Sequence, residues 1–164
     1  QDTLDYTGPA VNSGSKAMML GLGSEKRRDL PQEFHGNLPP DCSHAQVYLP
    51  GTLVVQGADY AGHATLAREL AHWEGLGNWP IVILVDDSTA ATVSLQEFLW
   101  TMFTRFEPAA DIHGRVQTVH RFHVGLEAPV VFDCRMKPWY TEVLEVDLPT
   151  KERVDMLMPQ LLTL

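Results

Sequence analysis

Ile81-Val-Ile-Leu-Val-Asp-Asp87, with the downstream run Ser94-Leu-Gln-Glu-Phe-Leu-Trp-Thr-Met-Phe-Thr-Arg-Phe-Glu-Pro-Ala-Ala-Asp-Ile112, decides the fold of this chain. Five apolar residues without polar alternation predict a strand buried on both faces, as in the middle of a sheet covered by helices. Ser94 and Glu97 make a capping-box pattern, in which the serine accepts from a backbone amide and the glutamate reaches back. Leu95, Phe98, Leu99 and Met102 then recur at i, i+3, i+4 and i+7, the spacing of one helical face. Pro108 stops that helix, because the residue before a proline is driven out of the helical region. A new strand is entered near Ile112.

Working outward, Ala45–Leu49 and Thr52–Gln56 are short strand candidates separated by the turn pair Pro50-Gly51. Residues 60–74 predict a helix with Leu66, Ala67, Leu70 and Trp73 on one face, ended by Gly75 and Gly77. Residues 115–124 form a weaker strand candidate, and Pro129–Asp133 a better one. Thr150 is the expected cap of a last helix with Val154, Leu157, Met158 and Leu161 as its stripe. Pro159 is expected to distort or end it. This order predicts an α/β fold, a layered domain with a mixed, partly parallel sheet covered by helices. Residues 45–164 form that domain. Residues 1–44 read as an extended arm and a Pro-rich loop region, with strand character at Ala17–Leu20.

A chain of 164 residues is one domain, large enough to bury a core without disulfides or metals. Its net charge of −9 argues against nucleic acid or an anionic membrane surface as the main partner. Lys26-Arg27-Arg28 is flanked by Glu25 and Asp29 and reads as a solvated turn. Cys42 and Cys134 do not make a disulfide framework, and reduced thiols in the cytoplasm are the expectation. No signal peptide is recognised at the start of the sequence, and no apolar run reaches the ~18–20 residues of a membrane span.

Three segments resemble the C-terminal domain of the UbiD-type decarboxylases, in the same order. Tyr60-Ala-Gly-His-Ala64 is similar to the family's Tyr-Pro-Gly-His-Ala, with Ala61 in place of proline. After the strand, the paired acids and the capped helix bearing Trp100, Thr104, Arg105, Pro108 and Asp111 match Thr-Arg-x-x-Pro-x-x-Asp. Val131-Phe-Asp-Cys-Arg-Met-Lys137 resembles Gly-Ile-Asp-Ala-Thr-x-Lys-Trp. There Asp133 and Lys137 match, Cys134 and Arg135 replace a small residue and threonine, and Trp139 sits one place late. The resemblance covers roughly residues 45–140.

It implies non-oxidative decarboxylation, or the reverse carboxylation, of an aromatic or α,β-unsaturated carboxylic acid. It implies prenylated FMN with a divalent metal, bound by a separate flavin-binding domain or subunit that also carries the acid–base residues. No catalytic, cofactor-binding or metal-binding residue is carried onto this chain. Its implied part is closure over the substrate and assembly into a homo- or hetero-oligomer, and this chain alone is expected to be inactive. The alternative is a non-catalytic binding or assembly module derived from that domain.

The candidate pocket or interface residues are Arg105, Asp111, Asp86, Asp87, Asp133 and Lys137. Arg105 and Asp111 could pair to lock the helix-to-strand turn, or Arg105 could position a carboxylate or a neighbouring domain. Asp86 and Asp87 end a buried strand, where ligands of open α/β sheets gather. Adjacent strand residues face opposite ways, so one of the two is expected to be solvated or capping. Asp111 and His113 share a strand face, and His120 and His123 are three apart on a strand. Neither pair makes a zinc site. His63 and His72 read as surface or N-terminal contacts. Cys134 has Arg135 and Lys137 nearby as possible cations, yet reads as a small buried residue. An independent α/β enzyme using Asp86, Asp87 or Cys134 remains a third option.

Overall fold

The computed structural model describes residues 29–120, 123–141 and 147–161. The expected strand at Ala17–Leu20 lies outside the described residues. A five-stranded sheet is built from β1 (Cys42–Leu49), β2 (Thr52–Gly57), β3 (Ile81–Val85), β4 (Ile112–His113) and β7 (Val130–Asp133). Its spatial order is β1-β2-β3-β7-β4. The β2–β3 and β3–β7 pairs are parallel, and the two outer pairs are antiparallel. The sheet is thus mixed and partly parallel.

Register explains the layers. Leu53, Val82 and Val131 lie side by side across β2, β3 and β7, as do Val54, Ile83 and Phe132 one residue on. Successive side chains alternate faces. The first row packs with Leu66, Ala67, Leu70 and Ala71 of α1 (Leu66–His72). The second packs with Ala91 of α2 (Ser88–Ala91) and with Phe98, Met102 and Phe106 along α3 (Leu95–Arg105). Helices therefore cover both faces, the condition under which an all-apolar β3 is stable.

Several local expectations differ from what the chain adopts. β1 begins at Cys42, three residues early, because Cys42 and His44 continue the ladder with Gly57 and Gln56. Helix α1 begins at Leu66 rather than residue 60. Residues 59–65 form isolated turns instead, with the Asp59 carbonyl accepting from the Gly62 and His63 amides and the Ala58 and His63 carbonyls reached by the Arg135 guanidinium at 2.7 and 3.0 Å. The 115–124 strand is a hairpin of β5 (Gln117–His120) and β6 (His123–Leu126). The last helix, α4, spans Leu148–Leu161 and continues past Pro159. Its first turn is capped by Asp147, which accepts from the Thr150 amide and hydroxyl, so Thr150 is not the cap. Pro50-Gly51 is the turn expected. Gly51 takes φ +80°, a region that L side chains rarely adopt.

Candidate functional site

The ends of β2, β3 and β7 come together at one edge of the sheet, and the three motif segments meet there. Asp133 is the last residue of β7 and shares its row with Leu84, so it faces the α1 side. Its two carboxylate oxygens accept from Arg135 Nε at 2.9 Å and Nη2 at 2.7 Å. Both side chains are fully buried. Arg135 Nη1 then reaches the carbonyls of Ala58 and His63, binding the Tyr60 segment to β7. The Tyr60 ring lies 5.1 Å from the guanidinium carbon, within cation–π range.

Lys137 is also fully buried. Its ammonium contacts the Arg105 carbonyl at 2.6 Å, the Asp133 carbonyl at 2.6 Å and the Asp111 carboxylate at 2.8 Å. An ammonium has three N–H donors, so all are spent. The Tyr60 and Tyr140 rings flank it at 5.6 and 5.8 Å. Asp111 accepts a second bond from the Glu107 amide at 2.7 Å, which closes the turn after α3. Burial pushes the Asp111 carboxyl up, against the pull of Lys137 and that amide.

Asp86 follows β3 and accepts from Arg105 Nη1 at 2.9 Å and from the Met136 amide at 2.8 Å. Arg105 therefore pairs with Asp86, and the expected pairing with Asp111 is replaced by Lys137–Asp111. The stretch leaving β7 brings Lys137 to the turn after α3, while Asp86, just past β3, meets Arg105, the last residue of α3. Asp87 turns the other way and caps α2, accepting from the Thr89 and Ala90 amides. The adjacent acids thus divide between ion pair and cap.

Trp139, edge-on to Tyr60, and Tyr140 both donate to Glu107 Oε1, at 3.2 and 2.9 Å. Glu107 and Tyr140 had no signal in the sequence, since a solvated acid and a core tyrosine look the same there. Cys134 is fully buried, and that burial pushes its thiol well up. Cys42 is likewise pushed up by burial, to about 11. His113 is half-buried and depressed by desolvation. His120 and His123 are register partners across the hairpin. Among the described residues no group of three or more His, Cys, Asp or Glu is placed to hold a metal ion, and every buried side-chain nitrogen and oxygen has a partner. No described helix is long and apolar enough to cross a membrane.

A second feature lies on α3. Leu95 (61% exposed), Leu99 (41%), Trp100 (64%) and Phe103 (63%) line its outer side with Gln96 and Thr104, a strip without an ionisable group. The expected stripe thus splits: Phe98 and Met102 enter the core, while Leu95 and Leu99 turn outward.

No family model matches the chain. A Chlamydia muridarum protein described as uncharacterized is 37% identical over 153 residues, covering 93% of this chain and 26% of that protein. A Chlamydia pneumoniae protein, named as one of the subunits of a 4-hydroxybenzoate decarboxylase, is 35% identical over 153 residues, with the same coverage. The chain thus spans 26% of the length of these relatives. Among solved structures, the open form of Sedimentibacter hydroxybenzoicus vanillic acid decarboxylase matches at 17% identity and a TM-score of 0.41, covering 76% of this chain and 30% of that one. With the motifs quoted above and a relative named as part of a decarboxylase, the chain is related to the UbiD-type decarboxylases and matches one part of longer proteins.

Proposed function

We propose that this chain is the closing and assembly domain of a UbiD-type carboxy-lyase. A flavin-binding domain or subunit in the cytoplasm would supply the prenylated FMN, the divalent metal and the acid–base groups. The substrate would be an aromatic or α,β-unsaturated carboxylic acid, decarboxylated or formed by carboxylation. The flavin provides the electron sink, as cofactors do for such bond cleavages. The residues described here do not fit the metal or the cofactor phosphate. They offer no cluster of metal ligands, and the Lys137 donors are spent within the chain.

One observation carries this reading. The three motif segments, distant in sequence, converge on a charge network satisfied from within, at the strand ends where α/β sheets present their ligands. Such a network makes a rigid wall and holds Trp139 and the half-buried Arg105 at its surface. The name of the Chlamydia pneumoniae relative supports the substrate class. The uncharged, exposed face of α3 supports assembly, since contiguous apolar strips of this kind mark interaction sites.

The test is affinity purification from the native source, with a flavin absorbance scan and a 4-hydroxybenzoate decarboxylation assay. Recovery with, or as part of, a larger flavin-bearing polypeptide is expected, with turnover by that assembly. The separated chain should show none. Robust turnover by the chain alone would overturn the reading, and a lone, colourless chain would favour the non-catalytic module.

A further inference from the structure

His63 sits in the turn between β2 and α1 with both ring nitrogens on carboxylates. Nδ1 is 2.7 Å from Asp41 Oδ2, and Nε2 is 2.9 Å from Glu69 Oε1. A carboxylate only accepts, and a neutral imidazole has one N–H to give. Both bonds are therefore made together only by the imidazolium. Asp41 lies just before β1. Glu69 is in the first turn of α1, where the Thr65 hydroxyl also donates to it at 2.7 Å. The ring thus joins three pieces of chain.

Its backbone is tied to the same place. The His63 amide donates to the Asp59 carbonyl, its carbonyl accepts from Arg135, and the Ala58 amide donates to the Asp41 carbonyl at 2.8 Å. The segment so held carries Tyr60 onto Arg135 and Trp139. Among the described residues, the charged side chains facing the ring are Asp41, from the stretch before β1, and Glu69, from α1. Arg135 meets His63 at its backbone carbonyl and not at its ring. The ring is 24% exposed, so protons have access to it.

We propose that His63 is a proton-operated latch. Charged, it holds the 58–65 segment, and with it Tyr60, against the body of the domain. Uncharged, it leaves one carboxylate facing a bare ring nitrogen and loosens the segment, which stays anchored through the Ala58 and His63 carbonyls. The Glu69 and Asp41 hydrogen bonds raise the imidazole above its ordinary value of 6.5. The His63 and Thr65 bonds lower Glu69 below its ordinary 4.5. A raised histidine gives stability that is complete below 6.5 and is lost as pH rises through the folded value. A lowered glutamate gives stability that is complete above 4.5 and is lost as pH falls through its folded value. The latch is therefore closed between these flanks and opens on the alkaline side. This inference stands without the proposed function.

The experiment is an NMR titration of the chain from pH 5 to 9, following the His63 Cε1–H and the Tyr60 ring protons, which lie beside the Trp139 indole. His63 is expected to titrate above 6.5, and the Tyr60 signals to move with the same midpoint. His63→Gln should remove the step and leave Tyr60 at its alkaline position at every pH. Asp41→Asn and Glu69→Gln, which keep the ring, should each lower the midpoint, so the outcome does not depend on one variant folding. A His63 midpoint at or below 6.5, or Tyr60 signals that stay still while His63 titrates, would overturn the latch.

Discussion

At the scale of single residues, the stability of the site rests on groups that seldom lie in a core. Arg135 and Asp133 are both fully buried, and removing one charge of a buried pair leaves the other without water or counter-charge. Arg135→Met should therefore destabilise the chain by about 3–5 kcal/mol in urea unfolding. Pairing it with Asp133→Leu removes the orphaned carboxylate but takes the guanidinium donor from the Ala58 carbonyl, while the His63 carbonyl keeps the Leu66 amide. That double variant should remain about 1–3 kcal/mol below the parent, the usual cost of an unsatisfied buried polar group. A loss below 1 kcal/mol for Arg135→Met would show that the pair contributes little. The sequence marked Asp133 and Lys137 through a family motif, yet it gave no sign that the arginine between them was buried. Burial of an arginine depends on which carbonyls come within reach of its fork, and those lie in a segment more than seventy residues earlier. The Arg105 partner differs from expectation for the same reason: the Thr-Arg-x-x-Pro-x-x-Asp motif makes Asp111 look close, while the stretches leaving β3 and β7 deliver Asp86 and Lys137.

At the scale of elements, periodicity located α3 correctly and capping located its start, since Ser94 accepts from the Glu97 amide as the pattern requires. Periodicity does not say how wide the buried stripe is. A helix crossing a sheet at one edge buries the side that meets the strands, here Phe98 and Met102, and leaves the neighbouring row outside. That row distinguishes a stability role from an association role. Trp100→Glu touches no core contact and should change stability by less than about 0.5 kcal/mol, as surface substitutions do. It should strongly reduce recovery of the larger polypeptide with this chain. Ser94→Ala should behave oppositely, costing about 1 kcal/mol through loss of the cap and leaving recovery intact. Equal recovery with Trp100→Glu and the parent would remove the α3 face from the assembly argument.

At the scale of the whole molecule, the fold separates a packed body from an appended helix. The described side chains of α4 from Leu148 to Met158 are all exposed, including the Val154, Leu157 and Met158 stripe that its sequence offers for burial. A helix of 14 residues in water is marginal by itself, because most helical stability in proteins comes from packing an apolar face. Removal of residues 148–164 should therefore leave the urea stability of the body within about 0.5 kcal/mol of the parent. Leu84→Ala, in the fully buried centre of the sheet, should cost about 2–5 kcal/mol. In the intact chain the amides of α4 should exchange with solvent far faster than those of β3, and become protected only when a partner covers the stripe. A drop above 1 kcal/mol on truncation would mean that α4 packs on the body. Its apolar stripe would then belong to the domain's own core and offer nothing to an assembly.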